Sequence, residues 1–211
     1  MDVRTAKLQV LAYSKKAYKE KLMAGTSGNL SVCIPEKHCF VITPSSVDYN
    51  EMQEEDLVLL DFSGHVLEGH YPPSSEWRLH AGIYRNIPRV AAVVHTHSPY
   101  ATACAAAHYT IPPVLIEMIP YVGGSVEVAP YAPPGTEEIV RTVLPILNTK
   151  NACLLANHGV VAVGEDLQAA YINSVYTEDA AKIVLLALAA GLQPQSIPEF
   201  SEHEEDRNNE K

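Results

Sequence analysis

The chain has 211 residues, 47% hydrophobic and 19% charged, with a formal net charge of −10 at pH 7. That length buries one sizeable core without a second domain. The acidic balance excludes a nucleic-acid partner, which calls for clustered Lys and Arg. A membrane partner is excluded too, because the longest apolar candidate, Ile183 to Leu192, falls short of the roughly eighteen residues of a span.

Taken in order, Met1-Asp2-Val3-Arg4 lacks the apolar h-region of a signal peptide, which predicts a cytoplasmic protein. Val3 to Met23 carries apolar residues at roughly helical spacing and meets a stop at Gly25. Thr26-Ser27-Gly28-Asn29 reads as a turn. Phe40-Val41-Ile42 and Asp56 to Asp61 read as strands, and Phe62-Ser63-Gly64 as a turn into His65-Val66-Leu67. Ser75 to Asn86 predicts a helix with Ser74 or Ser75 near its N-cap, placing Glu76 in the first turn. Val90 to Val94 is a buried strand, Tyr100 to Ala107 an Ala-rich helix, and Ala152 to Ala156 a second buried strand. Gly135 to Asn148 and Asp166 to Ala190 are further helices. This interleaving fits an α/β class, a three-layer α/β/α sandwich around a central sheet.

No repeat or linker interrupts residues 1–198, which read as a single domain. Residues 199–211 hold six acidic and two basic side chains with few apolar ones, and are expected to form a mobile tail. Cys33, Cys39, Cys104 and Cys153 show no C-x-x-C pairing, so free thiols in a reducing compartment are the simplest account.

The chemistry sits at strand ends. His95 and His97 follow one buried strand, and because strand side chains alternate faces they point the same way and can hold one ion. His158 follows the other. With nine His in the chain, chance gives about 0.4 His-x-His pairs, so that pair alone is a weak signal. A third imidazole, a carboxylate at Glu76 and hydroxyl clusters strengthen it. Three neutral imidazoles leave an open position on a tetrahedral ion, the arrangement of a catalytic metal. Glu76 is the natural fourth member, as ligand or as a base.

Gly25-Thr26-Ser27-Gly28-Asn29-Leu30-Ser31, Ile42-Thr43-Pro44-Ser45-Ser46, Pro73-Ser74-Ser75-Glu76-Trp77-Arg78-Leu79-His80, Val93-Val94-His95-Thr96-His97 and Asn157-His158-Gly159 fall in one order. Together they resemble the class II sugar-phosphate aldolase family, and its fuculose-phosphate branch most of all. The resemblance implies a largely antiparallel central sheet and a homotetramer with active sites between subunits. It implies a Zn2+ cofactor, with Mn2+ or Co2+ as alternatives, held by Glu76, His95, His97 and His158. The phosphate of a small phosphorylated sugar is implied at Gly28, Asn29, Ser45, Ser46, Ser74 and Ser75; position 46 is Ser where the fuculose branch has Gly.

Cleavage of a deoxy-ketose 1-phosphate such as L-fuculose 1-phosphate to dihydroxyacetone phosphate and lactaldehyde is the implied reaction, with Glu76 as base. The acid on the aldehyde half is implied in a neighbouring subunit's segment that aligns with Ile116-Glu117-Met118-Ile119. Glu117 stands there in place of the fuculose branch's tyrosine, as in the rhamnulose-phosphate branch, and Tyr121 and Tyr131 are fallback donors. Related members act as 5-deoxyribulose- or methylthioribulose-1-phosphate aldolases or dehydratases, as pentulose-phosphate 4-epimerases, which usually carry Asp at position 76, or as non-enzymatic adducin heads. Retention of all three histidines and Glu76 counts against the adducin reading.

Overall fold

The computed structural model describes residues 1–198, so the tail expected at 199–211 lies outside the described residues. Eight strands form one sheet: β1 (Asn29–Ile34), β2 (Cys39–Ile42), β3 (Val58–Asp61), β4 (Val66–Glu68), β5 (Ala92–Thr96), β6 (Val128–Ala129), β7 (Ala152–Leu155) and β8 (Gly159–Gly164). Their order is β4-β3-β2-β1-β5-β8-β7-β6, antiparallel throughout except for the β6–β7 pair. Five helices flank it: α1 (Val3–Lys19), α2 (Trp77–Asn86), α3 (Pro99–Ala106), α4 (Glu137–Leu147) and α5 (Leu167–Ala189). The three-layer sandwich is therefore as expected.

Both faces of the sheet are covered, which is why β1, β2, β5, β7 and β8 are buried along their whole length. Alternation still sorts the side chains. Cys33, Phe40, Val93, Cys153 and Val161 pack under α2 and α4, with Leu79, Ile83, Ile139 and Val143. Val32, Val41 and Val94 pack under α1, with Ala6 and Val10, and Leu154, Val160 and Ala162 pack under α3 and α5. The four cysteines are free and buried. Cys33 and Cys39 stand on adjacent strands but on opposite faces of the sheet.

Several boundaries depart from the sequence pattern. α1 stops at Lys19 rather than Met23, and the backbone then turns through Lys21 at φ 63 before it reaches Gly25. α2 begins at Trp77, so Glu76 is its N-cap residue and lies outside the first turn. Its own side chain caps nothing; instead the Glu76 N–H donates to Ser74 Oγ at 3.3 Å. β1, β6 and β8 were not anticipated from the pattern. Among the described residues no helix is long and apolar enough to cross a membrane.

Candidate metal centre

The register of the sheet assembles the site at one end. Asn29, the first residue of β1, pairs with His95 near the end of β5, and Leu155, the last residue of β7, pairs with Gly159 at the start of β8. The loop between them carries Asn157, in the left-handed region at φ 57, and His158. The chain after β2 runs beside the approach to α2: Ser45 N–H donates to the Pro72 carbonyl at 2.9 Å and Ser74 N–H to that of Thr43 at 3.1 Å. Strand ends, a hairpin loop and a helix N-terminus thus converge.

Glu76, His95, His97 and His158 meet there, with one donor atom from each lying within 4.8 Å of all the others. Glu76 Oε2 is 3.0 Å from His95 Nε2, and Glu76 Oε1 is 3.4 Å from His158 Nε2. The Nε2 atoms of His95 and His97 are 3.1 Å apart. His95 donates from Nδ1 to the Val160 carbonyl at 2.7 Å, because a carbonyl oxygen only accepts. In its neutral form Nε2 therefore presents a bare lone pair to a carboxylate and to another imidazole, an arrangement that needs a cation. Glu76 Oε1 and His158 Nδ1 are buried without a hydrogen bond. This donor set, nitrogen and oxygen with no sulfur, fits a divalent metal ion.

The electrostatics agree. Burial alone would raise the Glu76 carboxyl, but the charges of His95 and His158 and the hydrogen bonds from His95 and Asn29 outweigh it and hold it well below the carboxylate range. Burial and then His95 push His97 and His158 down to about 4. Burial would lower His95 too, yet the Glu76 charge wins and raises it. At neutral pH the carboxylate and the imidazoles of His97 and His158 are thus in their metal-binding forms, and metal binding at His95 competes with the protonation that Glu76 favours there.

The expected phosphate residues lie on three neighbouring loops around this centre. Gly28 has φ +82, and a Cβ there would meet the His95 carbonyl at 2.8 Å. Only glycine brings the chain this close to β5. Asn29 is buried and donates from Nδ2 to Glu76 Oε2 at 2.9 Å. Ser45 and Ser46 place their hydroxyls 3.4 Å apart. Ser46 sits at φ 61, a left-handed position that favours glycine. Ser74 is buried and Ser75 exposed at the start of α2.

Glu117 lies elsewhere. It precedes a π-helical turn, Met118–Val122, whose Met118 and Val122 pack into the α3 and α5 layer. Among the described residues no hydrogen bond or ion pair ties its side chain to the Glu76 cluster. Tyr121 is on that same turn, whereas Tyr131 follows β6 at the metal end of the sheet; both are exposed.

Sequence reasoning assigned no role to three residues behind the centre. His80 Nε2 is 2.6 Å from Asn29 Oδ1, and its Nδ1 is 2.6 Å from Ser31 Oγ. Tyr84 OH is 2.5 Å from the same Oγ. The spacing of Glu76, His80 and Tyr84 at i, i+4 and i+8, one helix face, was the available signal. Tyr49, which donates to the Gly28 carbonyl at 2.6 Å, gave none.

Residues 8–185 match the family described as Class II Aldolase and Adducin N-terminal domain. The chain belongs to that family. A 5-deoxy-D-ribulose 1-phosphate aldolase from Bacillus thuringiensis serovar kurstaki is 35% identical over 191 residues, covering 90% of this chain and 89% of that one. A 5-methylthioribulose-1-phosphate/5-deoxyribulose-1-phosphate aldolase from Rhodospirillum rubrum is 38% identical over 178 residues, 84% and 78% of the two chains. A solved L-fuculose 1-phosphate aldolase superposes with a TM-score of 0.88 at 36% identity, covering 98% of this chain and 95% of its own. This class II aldolase is thus a metal-dependent lyase, and its cluster of three histidines and a glutamate is where a metal can bind.

Proposed function

We propose that this class II aldolase cleaves a short deoxy-ketose 1-phosphate to dihydroxyacetone phosphate and a small aldehyde. The observation that carries the reading is Glu76, a buried carboxylate held on three imidazoles beside hydroxyl-bearing loops. A divalent ion on Glu76, His95, His97 and His158, Zn2+ or else Mn2+ or Co2+, supplies Lewis acidity for the negative charge that builds on the carbonyl side of the breaking bond. Gly28, the second amide hydrogen of Asn29 and the Ser45, Ser46, Ser74 and Ser75 hydroxyls bind the phosphate. In the cleavage direction the C4 hydroxyl passes its proton to Glu117, the C3–C4 bond breaks and C3 takes the proton that protonated Glu76 carries. In condensation Glu76 removes that C3 proton and Glu117 returns one to the new C4 oxygen.

The aldehyde half distinguishes two substrates. L-Fuculose 1-phosphate releases lactaldehyde, and 5-deoxyribulose 1-phosphate releases acetaldehyde. The solved relative supports the first and the two curated relatives the second. Glu117 acts from a neighbouring subunit of a homotetramer, as base for the C4 hydroxyl in cleavage and as acid in condensation, which accounts for its place in the far layer of its own chain. The test is a panel of ketose 1-phosphates with metal-loaded protein, read as dihydroxyacetone phosphate release. One of the two deoxy-ketoses should lead, and their unphosphorylated forms should turn over at least tenfold more slowly. Equal turnover without the phosphate sinks the assignment. Mixing inactive His95→Ala and Glu117→Ala subunits should restore activity if sites are shared, and should not if each chain works alone.

A further inference from the structure

The hydrogen bonds behind Glu76 form one chain whose polarity is fixed from end to end. An ionised carboxylate only accepts, so the side of Asn29 that faces Glu76 Oε2 at 2.9 Å must be its NH2. Asn29 Oδ1 then faces His80 Nε2 at 2.6 Å, which must carry a hydrogen. His80 is fully buried, and burial pushes it down to about 3, so it is neutral and its Nδ1 is bare. Ser31 Oγ, 2.6 Å away, donates to that nitrogen and accepts in turn from Tyr84 OH at 2.5 Å. None of these four residues is a metal donor, and each partner is spoken for.

We propose that His80 is a positioning residue for Glu76: its Nε2–H on Asn29 Oδ1 locks the Asn29 amide with its NH2 toward the carboxylate. This rests on the reading of Glu76 as ligand and base. Without that lock the amide can turn over, and its oxygen then faces the Glu76 carboxylate with nothing to donate. Glu76 loses both a fixed rotamer and a hydrogen bond that favours its anion. Ser31 and Tyr84 act one step further back by holding the His80 tautomer. An ordinary core histidine needs a partner for each ring nitrogen; here the partners run in one direction and end on the carboxylate at the metal centre.

The test compares His80→Met with His80→Gln, two flexible side chains of nearly the same shape of which only Gln carries a donor. Zinc affinity of the apo protein, by chelator competition, needs no substrate and so separates this proposal from the substrate reading. Loss of a partner behind a metal ligand costs 10–100-fold in affinity as an order of magnitude, and His80→Met should show it. On the leading ketose 1-phosphate, His80→Met should also lower kcat more than it raises KM, because Glu76 is no longer held in one rotamer. His80→Gln should recover most of both. If His80→Met does not fold, Ser31→Ala removes only the donor to Nδ1 and should shift both readouts in the same direction by less. Unchanged zinc affinity and kcat in a folded His80→Met or Ser31→Ala overturn the proposal, as does His80→Gln behaving like His80→Met at equal thermal stability. A wild-type protein that binds zinc but cleaves no ketose phosphate overturns the substrate reading instead, while the affinity comparison still decides on His80.

Discussion

At the scale of single residues, the position of Glu76 decides what the site can do. Its carboxylate is buried yet held anionic by His95, His158 and Asn29, so it can serve as a ligand and, when substrate displaces it, as a base. Glu76→Gln keeps shape and loses both roles. The expected outcome is a folded protein that still binds dihydroxyacetone phosphate when metal-loaded, with deuterium exchange at its C3 slowed about 10²–10⁴-fold, the usual worth of a positioned base. Exchange at the wild-type rate shows that another group moves the proton. Glu76→Asp withdraws the carboxylate by about one methylene, and misplacement of that kind costs roughly 100-fold. The three histidines of the candidate centre were legible in the sequence because strand parity and strand ends bring them together, while Glu76, ahead of α2, was legible from the Pro-Ser-Ser-Glu motif and the family resemblance. His80 was less so, since a buried histidine on an apolar helix face has no direction until its partners are seen.

At the scale of elements, the sequence showed helices with clear periods and strands with apolar runs, and missed those where two signals competed. β1 reads Asn-Leu-Ser-Val-Cys-Ile, a true alternation, but the glycines and hydroxyls before it mark a turn, and both its faces are covered. Its polar Asn29 and Ser31 point at the His80 face of α2, where hydrogen bonds satisfy them. β8, Gly-Val-Val-Ala-Val-Gly, is a short apolar run whose length does not separate strand from helix. β6 has two residues and exists only by pairing with β7. Gly28 couples the turn to the sheet and yields a test. Gly25→Ala, at φ +58 with nothing within 4 Å of its Cβ, should cost only the left-handed strain, about 1–2 kcal/mol. Gly28→Ala adds a contact of 2.8 Å with the His95 backbone oxygen, which no rotamer relieves. Its urea midpoint should fall well below that of Gly25→Ala and its metal content should drop, because the strand carrying His95 has to move. Equal midpoints and full metal occupancy contradict this coupling.

At the scale of the whole molecule, the centre sets how stability depends on pH. In the folded chain His80 is depressed to about 3, and His97 and His158 to about 4, by burial first and then by His95, from an ordinary value of 6.5. Between pH 4 and 6.5 the unfolded chain therefore binds more protons at these three positions than the folded chain. Stability of the metal-free protein rises with pH across that window and is lost on acidification. Glu76, depressed from 4.5, acts in the same direction lower down: its contribution is present above 4.5 and fades as pH falls. His95 has the opposite sign. Glu76 raises it above 6.5, so its contribution is complete below 6.5 and disappears as pH climbs through the folded value. For these groups taken together, the metal-free fold is favoured most around the ordinary imidazole value of 6.5 and less on either side. A bound divalent ion replaces the proton on His95, so the decline on the alkaline side should vanish when metal is added, while the acid side steepens as protons compete for three imidazoles. Urea midpoints measured from about pH 4.5 to 9, with a chelator and again with excess zinc, provide the check. A chelated protein whose midpoint falls as pH rises from 4.5 to 6.5, or a zinc-loaded one that keeps the same alkaline decline, contradicts this account of the centre.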